Sequence, residues 1–146
     1  MELTEKQLQG LNLTLERFRN KQKYVVISGY AGTGKSTLVK FIIAALGEYG
    51  IDPDADVIYT SFTRKATQVL QKKGNKNVST LHKLLYKWRP LSNGKFRRIP
   101  YTSLEPYKVV VVDEVSMVPK ELMQLLFTHN VFIICLRRSR SITASR

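Results

Sequence analysis

Gly29-Tyr-Ala-Gly-Thr-Gly34-Lys35-Ser36 fits the spacing G-x-x-x-x-G-K-[ST], which cups phosphate groups at the start of a helix. Gly29, Gly32 and Gly34 permit backbone angles that turn successive N–H groups inward. The amides from Gly29 through Ala31, Thr33 and Thr37, with the N-terminus of the following helix, then hold the phosphates. Lys35 brings an ammonium group to the β- and γ-phosphates, and Ser36 offers a hydroxyl to Mg²⁺. These residues predict ATP and Mg²⁺ as cofactors.

A second constellation lies far downstream. Val109-Val-Val-Val-Asp113-Glu114 is a continuously apolar, β-branched run ending in two carboxylates. A buried strand of this kind delivers Asp113 to the sheet edge where ligands bind in open α/β folds. Asp113 is expected to hold the metal through water. Glu114 is expected to orient and polarise the attacking water. Lys35, Asp113 and Glu114 are the candidate catalytic residues, and Ser36 and Asp113 the candidate metal ligands.

These groups need a scaffold, and the flanking pattern predicts one. Residues 4–19 read as an amphipathic helix with Thr4 and Gln7 in capping-box spacing and Leu8, Leu11, Leu15 and Phe18 at helical intervals. Residues 24–28 and 57–61 read as buried strands, as do 109–112 and 131–136. Helices are predicted over 35–49, with Leu38, Phe41, Ile42 and Leu46 on one face and Gly50 as terminator, and over 64–72. Another starts at Ser79 or Thr80, and one runs over 119–127 with proline in its first turn. Alternating strands and helices predict an α/β fold, a parallel sheet with right-handed crossovers. Residues 87–108 differ: three prolines, Ser92-Asn-Gly94, and aromatics among basic residues suggest an inserted hairpin or loop.

Composition narrows the function further. The chain has 146 residues, a formal net charge of +13 and one cysteine. One domain is expected, and an internal disulfide or a cysteine metal cage is excluded. Cys135, inside an apolar run, reads as a buried, inert thiol, and His129 as structural. The strongly basic surface favours polyanions such as nucleic acid. No apolar run approaches the roughly 20 residues of a membrane span, and the N-terminus is no secretory signal. A cytoplasmic location is the expectation.

Gly-Tyr-Ala-Gly-Thr-Gly-Lys-Ser-Thr together with Asp-Glu-Val-Ser-Met resembles the superfamily 1 helicases of the RecD-like type. The resemblance covers residues 3–136 and implies a RecA-like ATP-binding lobe. Leu3-Thr-Glu-Lys-Gln7 is similar to the family's Q motif, which implies that Gln7 contacts adenine. Ser61-Phe-Thr63-Arg-Lys-Ala66 and Thr80-Leu-His82 resemble its DNA-contacting motifs. They imply that Thr63, Arg64, Lys65, Thr80 and His82 touch single-stranded DNA. Bland readings remain for each: caps for Gln7 and Thr63, a solvated face for Arg64 and Lys65, a packed ring for His82. The stretch 87–108 sits where such helicases insert a hairpin that helps split the duplex. Trp88, Phe96 and Tyr101 among basic residues suit stacking on bases. The partner implied is single-stranded DNA or its junction with a duplex, and the polarity implied is 5′ to 3′.

Residues 137–146 lack apolar period and turn logic. Back-translated with permitted codons and read one base later, residues 137–145 can spell Gly-Asp-Pro-Asp-Gln-Leu-Pro-Pro, the phrase with which the helicase family continues. A frame-shifted or disordered basic tail is therefore expected, with an open sheet edge, a missing second lobe and little helicase activity. Two other readings stay open: another P-loop enzyme such as a small kinase, or a non-enzymatic basic protein that binds DNA.

Overall fold

A computed structural model describes residues 3–29, 34–138 and 143–145. Five parallel strands form the centre of one sheet. In chain order they are β1 (Tyr24–Gly29), β2 (Val57–Ser61), β3 (Val78–Thr80), β6 (Val109–Val112) and β7 (Phe132–Arg138). Their spatial order is β3-β2-β6-β7-β1, and β8 (Thr143–Ser145) adds an antiparallel sixth strand beside β1. β4 (Tyr86–Pro90) and β5 (Phe96–Pro100) form a separate antiparallel hairpin.

Period-two alternation sends the core strands' side chains to opposite faces. On one face Val25, Ile27, Val57, Val109, Val111, Phe132, Ile134 and Leu136 pack against α2 (Lys35–Leu46) and α1 (Glu5–Arg19). On the other, Ile58, Val110, Val112, Ile133 and Cys135 pack against α4 (Leu81–Leu85) and α5 (Lys120–Phe127). Both faces are covered, which is why these strands are apolar along most of their length. α3 (Arg64–Lys72) buries only Thr67 and Leu70.

The helix ends follow the residues written there. Thr4 Oγ1 accepts from Gln7 N–H at 3.1 Å, and Gln7 Oε1 accepts from Thr4 N–H at 2.9 Å, a complete capping box. Two apolar positions depart from the helical spacing. Leu8 is 47% exposed and Phe41 36%, while Val39 and Ile43 are buried. The apolar stripe of α2 is thus centred on Val39 and Ile43 beside Leu38, Ile42 and Leu46. Its last predicted turn tightens to a 3-10 turn at Gly47–Tyr49, closed by Gly50 at φ 85°. β7 runs two residues beyond the apolar stretch.

Within the stretch read as a tail, residues 143–145 form β8 along the edge of β1. Val26, Ile27 and Ser28 pair with Ser145, Ala144 and Thr143. An edge strand presents unpaired N–H and C=O groups that template such pairing, whatever the texture of the incoming segment. No helix among the described residues is long and apolar enough to cross a membrane.

Two buried groups behave as anticipated. Cys135 is 2% exposed, and burial pushes its thiol up to about 12, leaving it protonated at neutral pH. His129 is buried with Nε2 unpartnered among the described residues. Burial and, secondarily, the Lys23 ammonium hold its pKa below the ordinary histidine value. The unfolded chain therefore takes up this proton at a higher pH than the folded chain does. The associated stability is fully present above about pH 6.5, the ordinary value, and is lost as pH falls below it. The thermal midpoint should fall between pH 7.5 and pH 5.5, and His129→Phe should flatten that slope. Equal slopes in the two proteins would remove histidine from the account.

Candidate functional site

In a parallel sheet every strand delivers its following loop to the same rim. Here β1 ends at Gly29, β2 leads into Thr63, β3 ends at Thr80, and β6 leads into Asp113. Motifs scattered over 85 positions of sequence are thus gathered on one edge by topology alone. This is the edge at which open α/β sheets bind ligands.

The phosphate loop lies between β1 and α2. Ala31, Gly32 and Thr33 fall outside the described residues. Gly34 takes the left-handed conformation at φ 90° and forms the N-cap of α2, as a phosphate cup requires. Gly29, expected to share that freedom, instead completes β1 with no positive φ. It prolongs the strand because its register partner, Arg138, prolongs β7. No side chain caps the N-terminus of α2 and no acid lies in its first turn. Its leading N–H groups therefore suit an external anion. The Gln7 side chain is buried and its Nε2 donates to Gly34 O at 3.3 Å, so the capping residue also borders the loop. Its amide keeps one donor and one acceptor position beyond these bonds.

Lys35 Nζ donates to Arg137 O at 3.4 Å, and Arg137 Nε donates to Ser28 Oγ at 3.1 Å. Ser36 and Asp113 line one cavity of about 240 Å³ with Tyr59, Leu70, Lys73 and Asn75. Asp113 is anchored through its N–H to Thr60 O at 2.8 Å. Burial first, then the neighbouring Glu114, pushes its carboxyl above the ordinary aspartate value. Lys73, Lys35 and a backbone hydrogen bond oppose the rise. A hydroxyl and a carboxylate lining one small cavity fit a hard divalent cation that keeps water ligands.

Glu114 adopts φ 49°, ψ 56°, a left-handed geometry uncommon outside glycine and found at functional sites. The turn swings its side chain off the strand axis, where Arg138 Nη2 lies 3.6 Å from Oε1. Lys73, Arg137 and Arg138 are residues that sequence reasoning missed here. The continuation of a buried strand past Leu136 was the available signal for the two arginines. Nothing local signalled Lys73.

The residues expected to meet DNA occupy the same rim. Thr63 caps α3 by accepting from Ala66 N–H at 3.2 Å, and Thr80 caps α4 through Lys83 N–H at 3.2 Å. Arg64 and Lys65 are exposed in the first turn of α3. His82 packs between Phe62 and Tyr86, with ring centroids 5.7 and 6.2 Å away. Within residues 87–108 the predicted hairpin forms. Trp88 faces Arg98 across it and Pro90 faces Phe96, so Trp88 and Phe96 are diagonal neighbours on one face. They are 67% and 64% exposed. Arg98 turns back over the Tyr86 ring at 4.7 Å.

Five parallel strands between helices, with the loop and carboxylates at their common rim, define an α/β fold of the P-loop NTPase type. The chain belongs to the AAA domain family, whose model matches residues 2–130. It is 35% identical over 130 residues to the ATP-dependent DNA helicase dda of Enterobacteria phage T4, an alignment covering 87% of this chain and 29% of that protein. The chain thus spans less than a third of that relative's length.

Proposed function

We propose that this chain is the ATP-binding, RecA-like lobe of a superfamily 1 DNA helicase of the RecD-like type. The whole machine would couple ATP hydrolysis to 5′-to-3′ movement along single-stranded DNA. The observation that carries the reading is the meeting of Ser36 and Asp113 in one rim cavity, with the charge of Lys35 acting on the same carboxylate. The direction rests on the resemblance of the motifs alone, and the helicase relative supports DNA as the substrate.

In this reading the loop amides from Gly29 to Thr37 and the Lys35 ammonium bind the nucleotide phosphates, and Gln7 contacts adenine with its remaining amide positions. Ser36 and Asp113 would hold Mg²⁺, which when bound would supply positive charge beside the β- and γ-phosphates. Glu114 positions the attacking water and accepts its proton. Arg64 and Lys65 neutralise DNA phosphates. Thr63, Thr80 and His82 border the strand, and Trp88 and Phe96 on the hairpin stack on bases. A transition-state arginine from a facing lobe is worth roughly 10³–10⁵ in rate, so ATP hydrolysis by the whole machine should far exceed that of this lobe by itself.

The test is binding of a labelled single-stranded oligonucleotide, with and without Mg²⁺ and a non-hydrolysable ATP analogue. Trp88→Ala and Phe96→Ala should each weaken binding by about 5- to 150-fold, the range for losing one base stack. Nucleotide should modulate the affinity. Affinity indifferent to nucleotide would favour a passive basic DNA binder. Transfer of the γ-phosphoryl group to a nucleoside would favour a small kinase.

A further inference from the structure

The C-terminus of α3 brings a second ammonium group to the phosphate site. Lys73 is the C-cap of that helix, in ordinary right-handed geometry. From an exposed stem its Nζ reaches Ser36 Oγ at 3.4 Å. It lines the same cavity as Asp113. Of the two lysines that act on the Asp113 carboxylate, Lys73 has the larger influence. It thus touches the hydroxyl, and shares a cavity with the carboxylate, assigned above to the divalent ion.

We propose that Lys73 is a tethered competitor of the divalent metal, its ammonium held on the Ser36 hydroxyl that the metal requires, in the cavity that Asp113 also lines. The inference rests on the reading of those two residues as metal ligands. An ammonium and a magnesium-sized cation cannot share the Ser36 oxygen at contact distance, and two cations a few ångströms apart repel. Metal entry therefore requires the Lys73 side chain to swing out, which its exposed, flexible stem permits. The same ammonium provides a cation for nucleotide phosphates that arrive without metal. The site should accordingly discriminate less between free and metal-bound nucleotide than Ser36 and Asp113 alone would make it.

The test uses the full chain and Mn²⁺ alone, followed by calorimetry or by electron paramagnetic resonance of the free ion. Lys73→Gln should bind Mn²⁺ about tenfold more tightly than the unsubstituted chain, and added salt should shrink the difference. Lys73→Arg, which keeps the charge, should stay near the unsubstituted value. A fluorescent ATP analogue gives the second readout: Lys73→Gln should lose affinity in EDTA and keep it in Mg²⁺. Equal Mn²⁺ affinities for Lys and Gln at this position would overturn the proposal, as would a failure of both proteins to bind Mn²⁺. Asp113→Asn separates the two ideas. If it leaves Mn²⁺ binding unchanged, the metal-ligand assignment itself fails. If it removes binding while Lys73→Gln still has no effect, only the competition fails.

Discussion

Lys35→Ala should lower affinity for Mg²⁺·ATP by about 10- to 150-fold, the effect of losing one charge-assisted hydrogen bond of roughly 1.5–3 kcal/mol. The argument is positional. Lys35 opens α2, directly after the left-handed Gly34, and belongs to neither buried cluster of the sheet. Its one hydrogen bond within the described residues is a long one, to a main-chain oxygen. The side chain therefore contributes little to the fold, and the thermal midpoint of the variant should stay close to that of the unsubstituted chain. Fluorescent-nucleotide titration, with circular dichroism on the same samples, checks both halves. Unchanged nucleotide affinity in a folded variant would remove the phosphate-binding role.

The largest effect on stability is expected at the opposite kind of residue. Ile134 is fully buried in β7, between β6 and β1, on the face covered by α2. Ile134→Ala deletes side-chain carbons where neighbouring strands prevent collapse, and such changes cost about 2–5 kcal/mol. Domains of ordinary stability hold about 5–15 kcal/mol in total. Urea unfolding should show a much lower midpoint with the slope retained. A cost below about 1 kcal/mol would mean the sheet is not packed around this strand as described.

How far each feature could be read from the residues depended on the range of the interaction behind it. The loop between β1 and α2 is local: strand, glycine turn, lysine and helix are adjacent in sequence. The four core strands were legible because burial on two faces writes a continuous apolar run. β3 was not, because Val78-Ser-Thr80 is short and half polar, and Thr80 both ends the strand and caps α4. β8 was hidden for a different reason. Its residues carry no burial pattern, and its place is set by the open edge of β1. Leu8 and Phe41 misled because helical spacing gives a stripe's period without fixing its centre. The approach of Lys73 to Ser36 spans 37 positions and depends on how α3 and α2 sit side by side, which no local pattern records.

The backbone at Glu114 carries a consequence of its own. A left-handed residue with a side chain costs about 1–2 kcal/mol that glycine would not incur. Selection for rigidity alone would drift this position toward glycine, giving a hardier protein with no carboxylate beside Asp113. If Glu114 positions the attacking water as proposed, durability and chemistry pull in opposite directions at this position, and thermostabilising redesign of this domain should leave it untouched.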